Sequence, residues 1–425
     1  MKIVHVFAVM MAMLALAACG GKGGGSGSSS GGSGGSSGSG NTILSGVVSK
    51  GPFYSYSSSV KVYSLANGAR TLLKSTWVIN DTGRYQADLG TYSGPVLVEA
   101  SGYYYDEASG SRKLIPAQSP LRAALASAGG NTPLSVTGIT EMAVRYAGSS
   151  LTPAAIANAN DLVSQFFKIQ GVVTVNGVAA QQSITATEPV DPRSPGALNG
   201  AAQPQVDYTM ALAALSQLAA AQPGATDSEK MTNALAYIAQ GMSPSGLSLA
   251  VATDIKSSLA TFLAGGNNMT GLTSNATTSL RNMGTPSRNY RLTLNGPIAA
   301  GAVAGLQFSL YLPGRADIGF NSLTSTVFSN NLYLSGSAPS GGTLLGSYTP
   351  SAGSVSSMAI IYAASIATVN GKPVLQGLGS GEFATIVCNY PVGSSPPPVS
   401  DFIIYGTKIS DADGKPITGA TISIN

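Results

Sequence analysis

Short runs of alternating apolar and polar residues open and close the folded part of this chain, and a helical period separates them. Val60-Lys61-Val62-Tyr63 and Arg84-Tyr85-Gln86-Ala87-Asp88-Leu89 alternate with period two, and Val47-Val48 and Val96-Leu97-Val98-Glu99-Ala100 are apolar runs of strand length. Lys50-Gly51-Pro52, Ala66-Asn67-Gly68 and Asn80-Asp81-Thr82-Gly83 stand between them as turns. Short strands at regular spacing predict an N-terminal antiparallel β-sandwich over 41–113.

The pattern then changes. Residues 114–285 are Ala-rich and predict a central all-α region. Thr152-Pro153 reads as an N-cap followed by Pro at the first helical position, opening a helix over Ala154 to Phe167. Asp207 is expected to cap a helix from Tyr208 to Gln222. Thr226-Asp227-Ser228-Glu229 is a capping box for a helix closed by Gly241. Ser248 to Leu263 is a further amphipathic helix. Thr140 to Arg145 makes a shorter one, with Glu141 and Arg145 at i and i+4 as a modest surface ion pair.

Period two returns in 286–425. Tyr290-Arg291-Leu292-Thr293-Leu294, Gly305 to Leu312, Met358 to Tyr362, Gly381 to Cys388, Phe402 to Tyr405 and Gly419 to Ile424 read as strands of a C-terminal jelly-roll β-sandwich. The fold class expected is therefore multidomain: sandwich, helices, sandwich.

Ahead of these segments, Met1-Lys2 leads an apolar stretch from Ile3 to Leu16 that ends in small residues, the layout of a signal peptide over 1–18. The stretch is too short for a comfortable bilayer span. Leu16-Ala17-Ala18-Cys19 resembles the bacterial lipobox. That resemblance implies lipid attachment at Cys19, with palmitate among the acyl chains, and a partner in the membrane itself through the anchor; several acyl chains give a lasting hold where one gives a marginal one. Gly20 in place of Asp implies the outer membrane within the cell envelope. Residues 19–40 are nearly all Gly and Ser, a disordered tether with an end-to-end distance of roughly 25 Å.

Composition narrows the chemistry. Charged residues are 9% of the 425, against about 25% in ordinary soluble domains, and the net charge is +4. No basic stripe supports nucleic-acid binding. The single His is His5, inside the expected signal peptide, which excludes His-based dyads, triads and metal sites from the processed chain. Cys388 lies in an apolar strand and reads as a buried small residue. Tyr103-Tyr104-Tyr105-Asp106-Glu107 offers ring faces for a sugar and two carboxylates for calcium, but adjacent strand residues face opposite ways, so it reads as a strand edge followed by a solvated acidic turn. Glu188 and Asp191 share one proline-rich loop, a weak candidate for paired-carboxylate glycosidase chemistry. Asp411-Ala412-Asp413-Gly414 is too short for a calcium loop and reads as a turn.

Two further resemblances bear on fold, the second also on function. Ser45-Gly46-Val47-Val48-Ser49-Lys50-Gly51-Pro52, Thr82-Gly83-Arg84-Tyr85 and Tyr92 to Glu99 resemble carboxypeptidase-regulatory-like and collagen-adhesin B-type sandwich modules, which usually serve as stalks. Ala304-Gly305-Leu306-Gln307-Phe308-Ser309-Leu310, Leu312-Pro313-Gly314, Gly379 to Ala384 and Asp413-Gly414 through Ala420 resemble a cohesin-type module, related in fold to carbohydrate-binding modules. Together they imply a non-catalytic, membrane-anchored binding or adhesion protein with a polysaccharide or protein ligand and no cofactor. The alternatives are a purely structural envelope lipoprotein and a His-free Asp/Glu glycosidase.

Overall fold

A computed structural model describes residues 41–65, 69–175, 178–339, 341–350 and 356–425. The expected signal peptide, Cys19, the Gly/Ser tether and the turn at Ala66-Asn67-Gly68 lie outside the described residues. The described part is β-rich, with five α-helices.

Nine strands come first: β1 (Ile43–Ser49), β2 (Phe53–Ser64), β3 (Thr71–Trp77), β4 (Arg84–Asp88), β5 (Gly94–Asp106), β6 (Ser111–Ile115), β7 (Leu121–Ala128), β8 (Asn131–Pro133) and β9 (Val136–Thr137). One sheet runs β4-β1-β8 with β9 also on β1; the other runs β3-β2-β5-β6 with β7 also on β5. Alternation works as expected: Val60, Val62, Tyr85 and Ala87 point inward with Leu44, Val48, Val96, Val98 and Tyr104 into one shared core. Gly46 lets the sheet close, because a Cβ there would lie 2.3 Å from the Leu134 carbonyl oxygen, and the Tyr85 hydroxyl donates to that same oxygen at 2.7 Å.

Two features differ from the expectation. The strands continue to Thr137, because β7 pairs with β5 from Leu121 to Ala128 despite its Ala-rich, helix-favouring sequence. Both faces of β7 are covered, and small side chains suit a strand pressed from two sides; tertiary pairing outweighs propensity. The arrangement is also not wholly antiparallel, since β1 pairs parallel with β8 and with β9. The Gly129-Gly130 turn, with Gly130 at φ +59°, carries the chain across to the other sheet, where it enters alongside β1.

The helices are α1 (Gly138–Ala147), α2 (Pro153–Phe166), α3 (Gln203–Ala221), α4 (Asp227–Gln240) and α5 (Leu249–Ala264). Thr152 accepts from the Ala155 amide, and Thr226 and Glu229 form the expected reciprocal box. The Asp207 cap is corrected: α3 starts five residues earlier than expected, at Gln203, and Asp207 sits buried inside it. Apolar and small residues line α3 on all sides, as a helix surrounded by neighbours requires. The region is not all-α, because hairpins β10 (Gly171–Val175) with β11 (Val178–Gln182) and β12 (Met242–Ser243) with β13 (Gly246–Leu247) interrupt it. Leu97 and Ala124 of the five-stranded sheet pack against Val144 of α1 and Ile156 of α2.

The last strands are β14 (Ser287–Asn295), β15 (Gly305–Leu312), β16 (Leu332–Leu334), β17 (Thr343–Thr349), β18 (Ser356–Ala363), β19 (Ser365–Val369), β20 (Lys372–Gln376), β21 (Gly381–Asn389), β22 (Ile403–Ser410) and β23 (Thr421–Ile424). They build the sheets β16-β21-β14-β23 and β17-β18-β15-β22, with β19 and β20 as a separate hairpin. Leu292, Ile386 and Phe383 from one sheet meet Phe308, Leu310 and Ile360 from the other in a common core.

The Glu141–Arg145 pair is present, but not as a surface pair. The Glu141 carboxylate is buried and also takes Arg122 of β7 in a bidentate grip, Nε to Oε2 at 2.9 Å and Nη2 to Oε1 at 2.8 Å, while Arg145 Nε reaches Oε1 at 2.8 Å. One carboxylate thus clamps α1 to the sheet. Glu141→Ala, which strands two guanidinium groups, is expected to lower the unfolding free energy by about 3 kcal/mol in urea titrations; Arg145→Ala alone is expected to cost well under half of that.

Candidate functional site

The open side of β17-β18-β15-β22 is built by strict alternation. On β15, Leu306, Phe308, Leu310 and Leu312 fill the core, so Gln307, Ser309 and Tyr311 face outward. The ladder places three rows across the sheet: Leu345, Ile361, Gln307 and Lys408; Ser347, Ala359, Ser309 and Tyr405; Thr349, Ser357, Tyr311 and Ile403. Those positions hold no carboxylate and one cation. Side chains in the middle are small, and the bulk stands at one edge, where Tyr311 is 38% exposed, Tyr405 37% and Ile403 58%.

A bulge creates that edge. Between Lys408 and Tyr405, β22 takes three steps while β15 takes two, from Gln307 to Ser309. Gly406, at φ +65°, occupies the extra position in a conformation that other residues adopt at a cost. Ile409 points into the core, so without the extra residue Tyr405 would too; the bulge reverses the parity and turns Tyr405 and Ile403 outward. The rings of Tyr311 and Tyr405 then stack with centroids 4.2 Å apart and planes 20° from parallel. Partial burial, and then the hydrogen bond to the Tyr311 hydroxyl, raise the Tyr405 phenol above its ordinary pKa, with Ser309 pulling the other way. Neither tyrosine stood out in the sequence. The signal was Gly406 directly after the apolar run 402–405.

The residues singled out from sequence lie elsewhere. Glu188 takes a bidentate bond from Arg84 (3.2 and 2.7 Å), and Asp191 is gripped by Arg193 (Nε to Oδ1 at 2.9 Å), so each carboxylate serves its own arginine and neither flanks a cleft with the other. Cys388 is fully buried, and burial pushes its thiol far up. Asp411 Oδ1 accepts from the amides of Asp413 and Lys415, closing a turn. Among the described residues no group of three or more His, Cys, Asp or Glu is placed to hold a metal ion. A cleft of about 460 Å³ beside β20 is lined by Ile298, Leu375, Gln376, Ser380 and small neighbours, none of them titratable.

The acidic turn after Tyr105 is corrected: Asp106 and Glu107 are buried, not solvated. Tyr104 stacks on Phe53, while Asp106 Oδ2 accepts from the buried Lys50 Nζ at 3.0 Å. Glu107 accepts from the Gly51 amide at 2.7 Å and the Ser216 hydroxyl of α3 at 2.6 Å, and Lys50 also donates to Ser216. Burial works to raise Asp106, but Lys50, Lys113 and hydrogen bonds from Ser109 outweigh it and hold it at about 2. For Glu107 burial wins over Lys50 and carries it up to about 7.

A second buried network joins the helices to the last strands. Lys168, at φ +58°, donates to the Thr285 carbonyl (2.7 Å), Ser287 Oγ (3.0 Å) and Asn389 Oδ1 (2.7 Å). Asn330 donates to the Lys168 carbonyl at 3.0 Å and to Asp207 Oδ2 at 3.2 Å. Burial lowers Lys168 to about 7 and raises Asp207 to about 7. Both networks tie separate segments together through partners within the protein, as a brace does, although the buried Asn389 Nδ2 is left without a hydrogen-bond partner among the described residues.

No helix among the described residues is long and apolar enough to cross a membrane. The chain matches no protein-family model, no curated protein and no solved structure.

The braces set a pH dependence. A carboxyl raised on folding contributes stability that is complete below its unfolded value and lost as pH rises through its folded one, so Glu107 and Asp207 both make stability fall between about pH 4.5 and 7. Lys168 acts above that window, losing stability as pH falls from about 10.5 toward 7, and Asp106 acts below it, as pH falls through about 2. Urea midpoints at pH 5, 6 and 7 are expected to decrease in that order, and Glu107→Gln is expected to remove roughly half of the decrease.

Proposed function

We propose that this chain is a non-catalytic lipoprotein of the bacterial cell envelope that holds a protein ligand on the open face of β17-β18-β15-β22. The observation that carries the reading is the stacked Tyr311–Tyr405 pair beside Ile403 on a face with no carboxylate. Depletion of charge with tyrosine at the centre of contact is the compositional mark of a protein interface. A sugar ring needs an open aromatic face to lie on, and here the two rings spend one face each on the other. The sequence resemblance to a cohesin-type module supports the same reading. So does the way consecutive strands cross between the two sheets, β14, β16 and β21 lying in one and β15, β17 and β22 in the other, as a jelly-roll sandwich requires.

Magnitude limits what the face does alone. Four strands about 4.8 Å apart and three rows about 7 Å apart give, with side-chain width, about 400 Å². A stable complex buries about 800 Å² per partner, so loops at the sheet's rim contribute or the complex is transient. The N-terminal strands and helices then act as the stalk, and Cys19 with the Gly/Ser tract as anchor and tether.

Two experiments test this. Metabolic labelling with palmitate is expected to mark the wild-type chain and to fail for Cys19→Ser; equal labelling removes the anchor from the reading. The wild-type chain, immobilised beside Tyr311→Ala and Tyr405→Ala forms, is expected to retain an envelope or extracellular protein that both variants bind at least tenfold more weakly. Retention of a glycan on a polysaccharide array, lost in the same variants, moves the ligand class to carbohydrate. Retention of nothing leaves a structural envelope lipoprotein.

A further inference from the structure

The residues that no brace uses gather where β2 leaves β5. Between Phe53, opposite Tyr104, and Ser58, opposite Gly102, β2 takes five steps against two on β5, so residues 54–57 loop out of the ladder. Gly102, at φ +142°, makes room for the loop's base: a Cβ there would lie 2.3 Å from Ser58 Oγ and 2.6 Å from the Ser57 carbonyl oxygen. Ser58 Oγ donates to the Tyr54 carbonyl at 2.8 Å. The Ser55 amide and hydroxyl both donate to Asp81 Oδ1, at 2.9 and 2.7 Å, and Arg193 Nη2 donates to the Asp81 carbonyl at 2.6 Å. The loop is therefore pinned at its base and along its length.

Despite that anchoring, Tyr56 has φ +59° and is 97% exposed. A non-glycine residue held in the left-handed region, with its ring in water, gains nothing for folding. Beside it, the Arg112 guanidinium lies over the rings of Tyr103 (4.1 Å) and Tyr54 (5.2 Å), with Nη2 within 3.4 Å of Ser57 Oγ. Among the described residues Arg112 has no carboxylate in an ion pair, whereas Arg193 is bound to Asp191. Ring stacking covers the guanidinium plane and leaves its in-plane N–H donors, which match a carboxylate two-to-two. Trp77, the chain's only tryptophan, lies opposite Ser59 on the neighbouring strand and is 68% exposed.

We propose that this loop is a second ligand site, independent of the β17-β18-β15-β22 face, for a polysaccharide bearing carboxylates. Tyr56 supplies the open ring face on which a sugar lies, Arg112 takes the carboxylate, and the hydroxyls of Ser57 and of the exposed Ser59–Ser101 pair lie alongside for ring hydroxyls. An aromatic ring almost wholly in water, beside a guanidinium with no carboxylate in an ion pair among the described residues, matches the flat faces and carboxylates of an acidic glycan.

Titration calorimetry of the full chain with polygalacturonate, beside uncharged galactan, tests the site. Binding to polygalacturonate is expected, at least tenfold tighter than to galactan, weakened by salt and accompanied by a change in Trp77 fluorescence. Arg112→Gln and Tyr56→Ala are each expected to weaken it tenfold or more. Tyr56→Gly guards against a folding artefact: relief of the left-handed strain is expected to raise the melting temperature while affinity falls. Absence of binding, equal binding to galactan, or full binding by Tyr56→Gly or Arg112→Gln overturns the proposal.

Discussion

A chain this poor in charge buries several of the charges it has, and it buries them where its segments meet. Lys50 and Glu107 of the first strands meet Ser216 of α3; Glu141 of α1 holds Arg122 of β7; Lys168, after α2, is held by Ser287 and Asn389 of the last strands, and Asp207 of α3 reaches Asn330. A buried charge stripped of its partner costs several kcal/mol, more than a typical apolar contact. Each junction is therefore specific: one segment cannot part from the next without exposing or stranding an ion. Apolar packing fills the two sandwich cores and a third core within the helices, where Phe166, Leu212, Leu215, Ile238 and Leu259 meet, and the ions fix how the elements that carry those cores are joined.

The two candidate ligand surfaces follow from what this leaves free. Cores and braces consume most of the aromatic side chains, so the rings that remain exposed mark places where folding does not need them. Tyr311, Tyr405 and Ile403 stand on one such surface, and Tyr56, Trp77 and Arg112 on the other. Both are made by irregularities in a strand, a single extra residue at Gly406 and a four-residue loop at 54–57. Regular strands alternate between core and solvent without choice; a bulge re-aims a side chain, and its cost makes sense where the re-aimed side chain is used.

Period two made β2, β4 and β15 legible from sequence, because burial of one face imposes it directly. The capping residues Thr152 and Thr226 were legible for the same local reason. Leu121 to Ala128 was not: its alanines favour a helix, and only pairing with β5 and cover from α1 and α2 make it a strand. Asp207 read as a cap, since a short carboxylate before an apolar run fits one, but besides Gln203 on its own helix its partners are Ser279 and Asn330, 72 and 123 residues away. Lys50 and Ser216 are 166 residues apart, and Lys168 and Asn389 are 221 apart. No local pattern encodes such pairs, which is why Asp106 and Glu107 looked like a solvated turn. The outward tyrosines were hidden by parity, since Gly406 reverses the face that simple alternation assigns to Tyr405.

If the buried ions weld the segments, the described part of the chain unfolds as one unit although it has three cores. Differential scanning calorimetry of the full chain is the most direct measure. A single transition is expected, with calorimetric and van't Hoff enthalpies that agree. Two or three separable transitions, with the strands from Ser287 onward melting apart from the helices, would contradict it.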